Sequence, residues 1–153
     1  MAHLDIRKFI AAPPDAVWAV LADLEHQAAW MVDVRRLEIT TEQKQGVGAV
    51  LHVTSELFGQ PLVKDVMEIT AWQPPFRMDV AHRGQFDGSG QFLLDPVENG
   101  TIFTWIEDFR PPLGSLGDAV FALVVRPHLM RVFARSMENV RRLAEARSRS
   151  DAA

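Results

Sequence analysis

Two short stretches set ionisable side chains among apolar ones: "FRMDVAHR" (76–83) and "TIFTWIEDF" (101–109). Residues two apart in a strand share a face. Phe76, Met78, Val80 and His82 therefore go together, against Arg77, Asp79, Ala81 and Arg83. In the second stretch Phe103, Trp105, Glu107 and Phe109 oppose Ile102, Thr104, Ile106 and Asp108. The aromatic face carries more apolar area and is expected to point inward, which aims Glu107 at the interior. A carboxylate there must be paired, and His82 and Asp65 are its candidate neighbours. A His–Glu pair of this kind is an acid–base set for taking a proton next to a carbonyl. The plainer alternatives stay open: His82 as a hydrogen-bonded core residue, and Glu107 at an open rim, hydrated or paired with an arginine.

Other chemistries lack their residues. The chain has no cysteine, so disulfides, thiolate catalysis and cysteine-ligated zinc are excluded. Its five histidines, His3, His26, His52, His82 and His128, form neither H-x-H nor H-E-x-x-H, and no metal site is expected. There is no G-x-S-x-G and no phosphate-binding loop. Without tyrosine, no phenolic acid is available. A net charge of −4 disfavours nucleic acid as a partner. "MAHLDIRKFIAA" is too polar for a signal peptide, and the longest apolar run, "AVFALVV" (119–125), is too short to span a membrane. A cytoplasmic protein without a transmembrane segment or resident cofactor is the default expectation.

The elements around these residues follow from periodicity. "HLDIRKFIA" (3–11) reads as a strand. "PPDAVWAVLAD" (13–23) reads as a helix, with proline in its first turn and Asp15 placed for the dipole. Residues 23–29 form a second short helical piece ending near Trp30. Strands are then expected over 32–40, 49–57, 62–72, 76–83, 89–95 and 101–109, separated by polar, glycine or proline breakers that include 96–100 and 110–114. A long helix closes the chain, with Leu116, Val120, Leu123, Met130, Phe133, Met137, Val140 and Ala144 on one apolar face and a kink expected at Pro127. Its other face carries Arg131, Arg135, Glu138, Arg141, Arg142 and Glu145, charges of both signs that suit a solvated surface. Residues 1–147 are expected as one domain and 148–153 as a frayed tail. The fold class is α+β: a seven-stranded curved antiparallel sheet wrapped around a long C-terminal helix, with two short helices between strands 1 and 2. A hollow is expected where the helix crosses the mouth of the curl.

This order, with "IAAPPDAVWAVLADLEHQAAW" (10–30), "GVG" (46–48), "ITAWQPPFRM" (69–78) and "LDPVENGT" (94–101), resembles the START/Bet v 1-like superfamily, the SRPBCC or polyketide cyclase/dehydrase-like proteins. The resemblance implies a helix-grip fold with an internal cavity for a small hydrophobic or amphipathic ligand of lipid, polyketide, quinone or aromatic type. It also leaves two other expectations. One is a cyclase, aromatase or dehydratase using His82 and Glu107; the other is a toxin-like member acting on a protein or ribosome. Either a monomer or a homodimer is compatible with it.

The residues expected around a ligand are Trp30, Leu51, Val53, Ser55, Met67, Met78, His82, Phe92, Trp105, Glu107, Val120 and Leu123. Val63, Asp65, Ile69 and Ala71 are expected to point inward with Met67. Gly88 and Gly90, of the same parity as Phe92, would leave room on that face or mark a bulge. Methionines such as Met31, Met67 and Met78 suit an adaptable lining. Trp18 is read as structure and Trp30 as a ligand contact at the cavity edge; His26 beside it reads as a surface residue.

Overall fold

Short turns between alternating segments leave consecutive strands no option but to pair antiparallel. In the computed structural model, which describes residues 1–111 and 114–153, they do so in one seven-stranded sheet. The strands are β1 (Ala2–Ile10), β2 (Val34–Ile39), β3 (Val50–Leu57), β4 (Gln60–Gln73), β5 (Arg77–His82), β6 (Gly88–Val97) and β7 (Gly100–Phe109). Their order is β1-β7-β6-β5-β4-β3-β2, so the chain returns from β7 to lie beside β1. Of the expected breaker 110–114, Pro112 and Leu113 lie outside the described residues.

Between β1 and β2 the chain makes α1 (Pro14–Leu21) and a 3₁₀ helix (Leu24–Ala29). Pro14 sits in the first turn, where its missing N–H costs nothing, and Asp15 follows it. Ala16, Val17, Trp18 and Leu21 are buried, and Trp18 meets Trp72 edge-on at 5.1 Å. The second short helix is thus a 3₁₀ turn that buries Leu24 and Gln27.

The closing helix comprises α2 (Gly114–Val120), a π-helical turn (Phe121–Val125) and α3 (Arg126–Ala152). Pro127 has no N–H, and its ring would press on the carbonyl of Leu123 in a plain α-helix. The expected kink is taken up as the wider turn, with the Arg126 N–H bonding back to the Phe121 carbonyl. One extra residue there re-registers everything before it. Phe121, Val125, Leu129 and Phe133 therefore line the inner face, while Leu116, Val120 and Leu123 are exposed. Further along, Met137, Val140 and Ala144 are buried as their spacing predicts. The helix runs on to Ala152, and no residue after Ala144 is buried.

The middle of α3 is tied to the rest of the chain. Glu145 accepts the Ala11 N–H at 3.0 Å, Asn139 donates to the Trp30 carbonyl at 3.1 Å, and Ser136 Oγ accepts the Val32 N–H at 3.0 Å. Lys8 pairs with Glu138 at 2.8 Å.

Register shifts occur between Val34 and Arg36 in β2 and between Ser55 and Leu57 in β3, but the one that changes a core assignment lies in β4. A register shift between Ile69 and Ala71 inserts a bulge in β4. Beyond it Trp72, not Ala71, stands opposite Met78 and reaches the core against Trp18. Phe76 falls in the turn before β5 and is half exposed, so it leaves the face assigned to it with Met78.

Candidate functional site

The curl of the sheet and the front of the closing helix enclose a cavity of about 130 Å³. Leu51, Met67, Ile69 and Met78 line it from the sheet's middle strands. Phe92, Trp105 and Phe109 line it from β6 and β7; Phe121, Val125, Leu129 and Phe133 close it from the helix. Trp105 stacks on Phe133 at 4.3 Å with the rings 12° apart, so sheet and helix meet through flat aromatic contact.

Polar groups converge on one wall. The pairing of β4, β5, β6 and β7 puts Met67 opposite His82, His82 opposite Gly88, and Gly90 opposite Glu107. His82 is buried between two carboxylates. Its Nδ1 lies 2.5 Å from Asp65 Oδ2 and its Nε2 lies 3.0 Å from Glu107 Oε2. The other Glu107 oxygen accepts the Trp105 indole N–H at 2.7 Å. Glu107 is buried and fully engaged, not at a hydrated rim and not paired with an arginine.

Gly90 makes this arrangement possible. A Cβ there would fall 2.7 and 2.9 Å from the two Glu107 oxygens and 2.9 Å from Val80. The space left by this glycine is occupied by the Glu107 carboxylate. No register shift occurs in the β5–β6 or β6–β7 pairing, so neither Gly88 nor Gly90 marks a bulge.

Carboxylate oxygens accept hydrogen bonds, so an acceptor on each side of the ring requires a proton on both nitrogens. Burial by itself lowers the pKa of His82. The hydrogen bonds and charges of Asp65 and Glu107 overcome that and push it up to about 10. His82 is an imidazolium at neutral pH, which removes it as a general base there.

Asp33 is a wall residue absent from the sequence-based set. It lies just before β2, which begins at Val34 rather than at residue 32, and no face was assigned to the expected strand 32–40. Burial raises the pKa of its carboxyl; hydrogen bonds from its own backbone and from Ser55 oppose this, and the charges of Glu107 and Glu56 add to it. Glu56 also reaches the cavity wall and pairs outward with Arg35.

Of the expected ligand residues, Leu51, Ser55, Met67, Met78, His82, Phe92, Trp105 and Glu107 stand on the wall. Val53 is buried but off the wall. Val120 and Leu123 are 50% and 79% exposed and face solvent, a correction that follows from the π turn. Trp30 is also corrected. It is 2% exposed and sits behind the cavity, 6.1 Å from Phe92 and 6.0 Å from Trp105 between ring centres. His26 is exposed and pairs with Asp23 at 2.9 Å, which raises its pKa. On the outer face of α3, Arg141 is held by Glu138 and Glu145, so its charge is met within the helix. Among the described residues no cluster of His, Cys, Asp and Glu is placed to hold a metal ion, and no helix is long and apolar enough to cross a membrane.

A curved antiparallel sheet gripping one long helix over an apolar hollow defines the Bet v 1-like, helix-grip class. Within that class, the model for the family described as polyketide cyclase / dehydrase and lipid transport matches residues 1–145, and the chain belongs to this family. Solved structures share the fold. The ZhuI aromatase/cyclase from Streptomyces sp. R1128 is 20% identical with a TM-score of 0.72, over 95% of this chain and 94% of that one. TTHA0849 from Thermus thermophilus is 18% identical with a TM-score of 0.71, over 99% and 100% of the two chains. The Aha1 dimer protein from Colwellia psychrerythraea is 15% identical with a TM-score of 0.67, over 95% and 97%. No curated protein sequence matches the chain.

Proposed function

We propose that the protein binds a small, largely apolar ligand in the cavity between the sheet and the closing helix. The observation that supports this most directly is the cavity wall itself. It is predominantly aliphatic and aromatic, with its ionisable groups gathered around His82, Asp65, Glu107 and Asp33. The family's description, which includes lipid transport, agrees with a carrier role. Native mass spectrometry of protein purified without added ligand is the test, joined to thermal melts with apolar probes. A retained small molecule, or stabilisation that grows with probe concentration, is expected. Absence of both would refute the reading.

A second reading is cyclase or dehydratase chemistry on a carbonyl compound held in the same cavity. The buried Glu107 carboxylate beside His82 supports it. In this reading Glu107 takes the proton and His82, held as a cation, fixes and polarises Glu107 rather than acting as base. Glu107→Gln would then abolish turnover of a model poly-β-carbonyl substrate while binding persists. Equal turnover by wild type and Glu107→Gln would remove this reading.

A further inference from the structure

The imidazolium and indole hydrogen-bond donors on the cavity wall are already used. Both His82 nitrogens point to carboxylates, and the Trp105 N–H is held by Glu107. Gln27 and Gln91 each give one amide N–H away, to the Leu21 carbonyl and to Asp79. Ser55, also on the wall, carries a hydroxyl that can donate or accept. Acceptors are in surplus. Asp33, Glu56, Asp65 and Glu107 all stand on the wall, and Asp65 Oδ1 is buried with no partner. Among the described residues no lysine or arginine lines the cavity.

We propose that the cavity takes a single-ring molecule that donates a hydrogen bond and is neutral or cationic, such as a phenol or an arylalkylammonium, and excludes carboxylates and phosphates. This rests on the ligand-binding reading above and deepens it. Size sets the first part: a hollow of about 130 Å³ is of the order that holds one benzene-sized ring in a protein interior. Hydrogen-bond inventory sets the second. A donor on the ligand meets the carboxylates gathered on the wall, whereas an acceptor on the ligand finds the His82 and Trp105 N–H groups already committed. Charge sets the third. An anion entering here loses its water and meets several carboxylates against one imidazolium, with no basic side chain to offset them.

Titration calorimetry with four probes of similar size separates these elements: 4-ethylphenol, phenethylammonium, ethylbenzene and phenylacetate. The two donors should bind at least tenfold more tightly than ethylbenzene, and phenylacetate should be weakest. Asp33→Asn should reduce the advantage of phenethylammonium over phenylacetate several-fold. Ethylbenzene binding as tightly as the donors would overturn this inference and leave the cavity reading standing. Phenylacetate binding as tightly as phenethylammonium would do the same. An unchanged ratio in Asp33→Asn would overturn the part given to Asp33. Failure of all four probes, ethylbenzene included, would overturn both this inference and the proposed binding function.

Discussion

Raising the pH should loosen this protein through one side chain, His82. The folded state holds its ring charged up to about pH 10, whereas an unfolded chain releases that proton near 6.5. A group with a raised folded pKa contributes its full stability below the unfolded value. The contribution declines as pH rises through the window between the two and is gone above the folded value. From 6.5 to about 10 the contribution is on the order of 5 kcal/mol, since each pH unit is worth roughly 1.4 kcal/mol. Against a total of about 5–15 kcal/mol for an ordinary domain, such a loss is large. Urea denaturation at pH 6, 7, 8, 9 and 10 measures it. The midpoint should hold near pH 6 and then fall steadily, by about 2 M or more for a typical urea slope. His82→Gln supplies the comparison: weaker at pH 6, it should show a much flatter profile over the same range. Long-range nitrogen–proton NMR gives an independent reading, with both His82 ring nitrogens protonated at pH 8. A flat wild-type profile, a parallel fall in His82→Gln, or a His82 ring that titrates near 6.5 would refute the reasoning.

Two further outcomes test the packing. Trp18→Ala and Trp30→Ala should each cost on the order of 3–5 kcal/mol in denaturation, because both rings are buried against other aromatics. A Trp30→Ala protein of wild-type stability but altered ligand affinity would show that Trp30 belongs to the binding wall after all. Gly90→Ala should displace the Glu107 carboxylate, since the new methyl would sit 2.7 Å from its oxygen. The expected signature is a lowered His82 pKa by NMR together with a stability loss of about 1–3 kcal/mol; an unmoved His82 titration would count against that geometry.

Alternation carried most of the fold. The strand parities that grouped Met78, Val80 and His82, and that turned Trp105 and Glu107 inward, need nothing beyond the local pattern. What failed was what a local pattern cannot encode. The bulge at Ile69–Ala71 exchanges Ala71 for Trp72, and only the pairing partner on β5 reveals it. The π turn moved Val120 and Leu123 outward and brought Phe121 and Val125 in. The threes, fours and single seven of the proposed stripe are spacings of an uninterrupted α-helix, so nothing in them marks the extra residue. Asp33 was missed because no face was assigned to the expected strand 32–40, which begins only at Val34. The charge state of His82 was out of reach because it depends on Asp65 and Glu107 meeting the ring from both sides.

The front of the closing helix is also its least anchored part. Segment Gly114–Val125 carries a single buried side chain, Phe121, while the bonds that anchor the helix lie mostly beyond it, at Ser136, Asn139, Glu138 and Glu145. Swinging this segment aside exposes about one phenylalanine, at a cost of roughly 1.5–3 kcal/mol. The segment ahead of Pro127 is therefore the part of the cavity wall that costs least to displace.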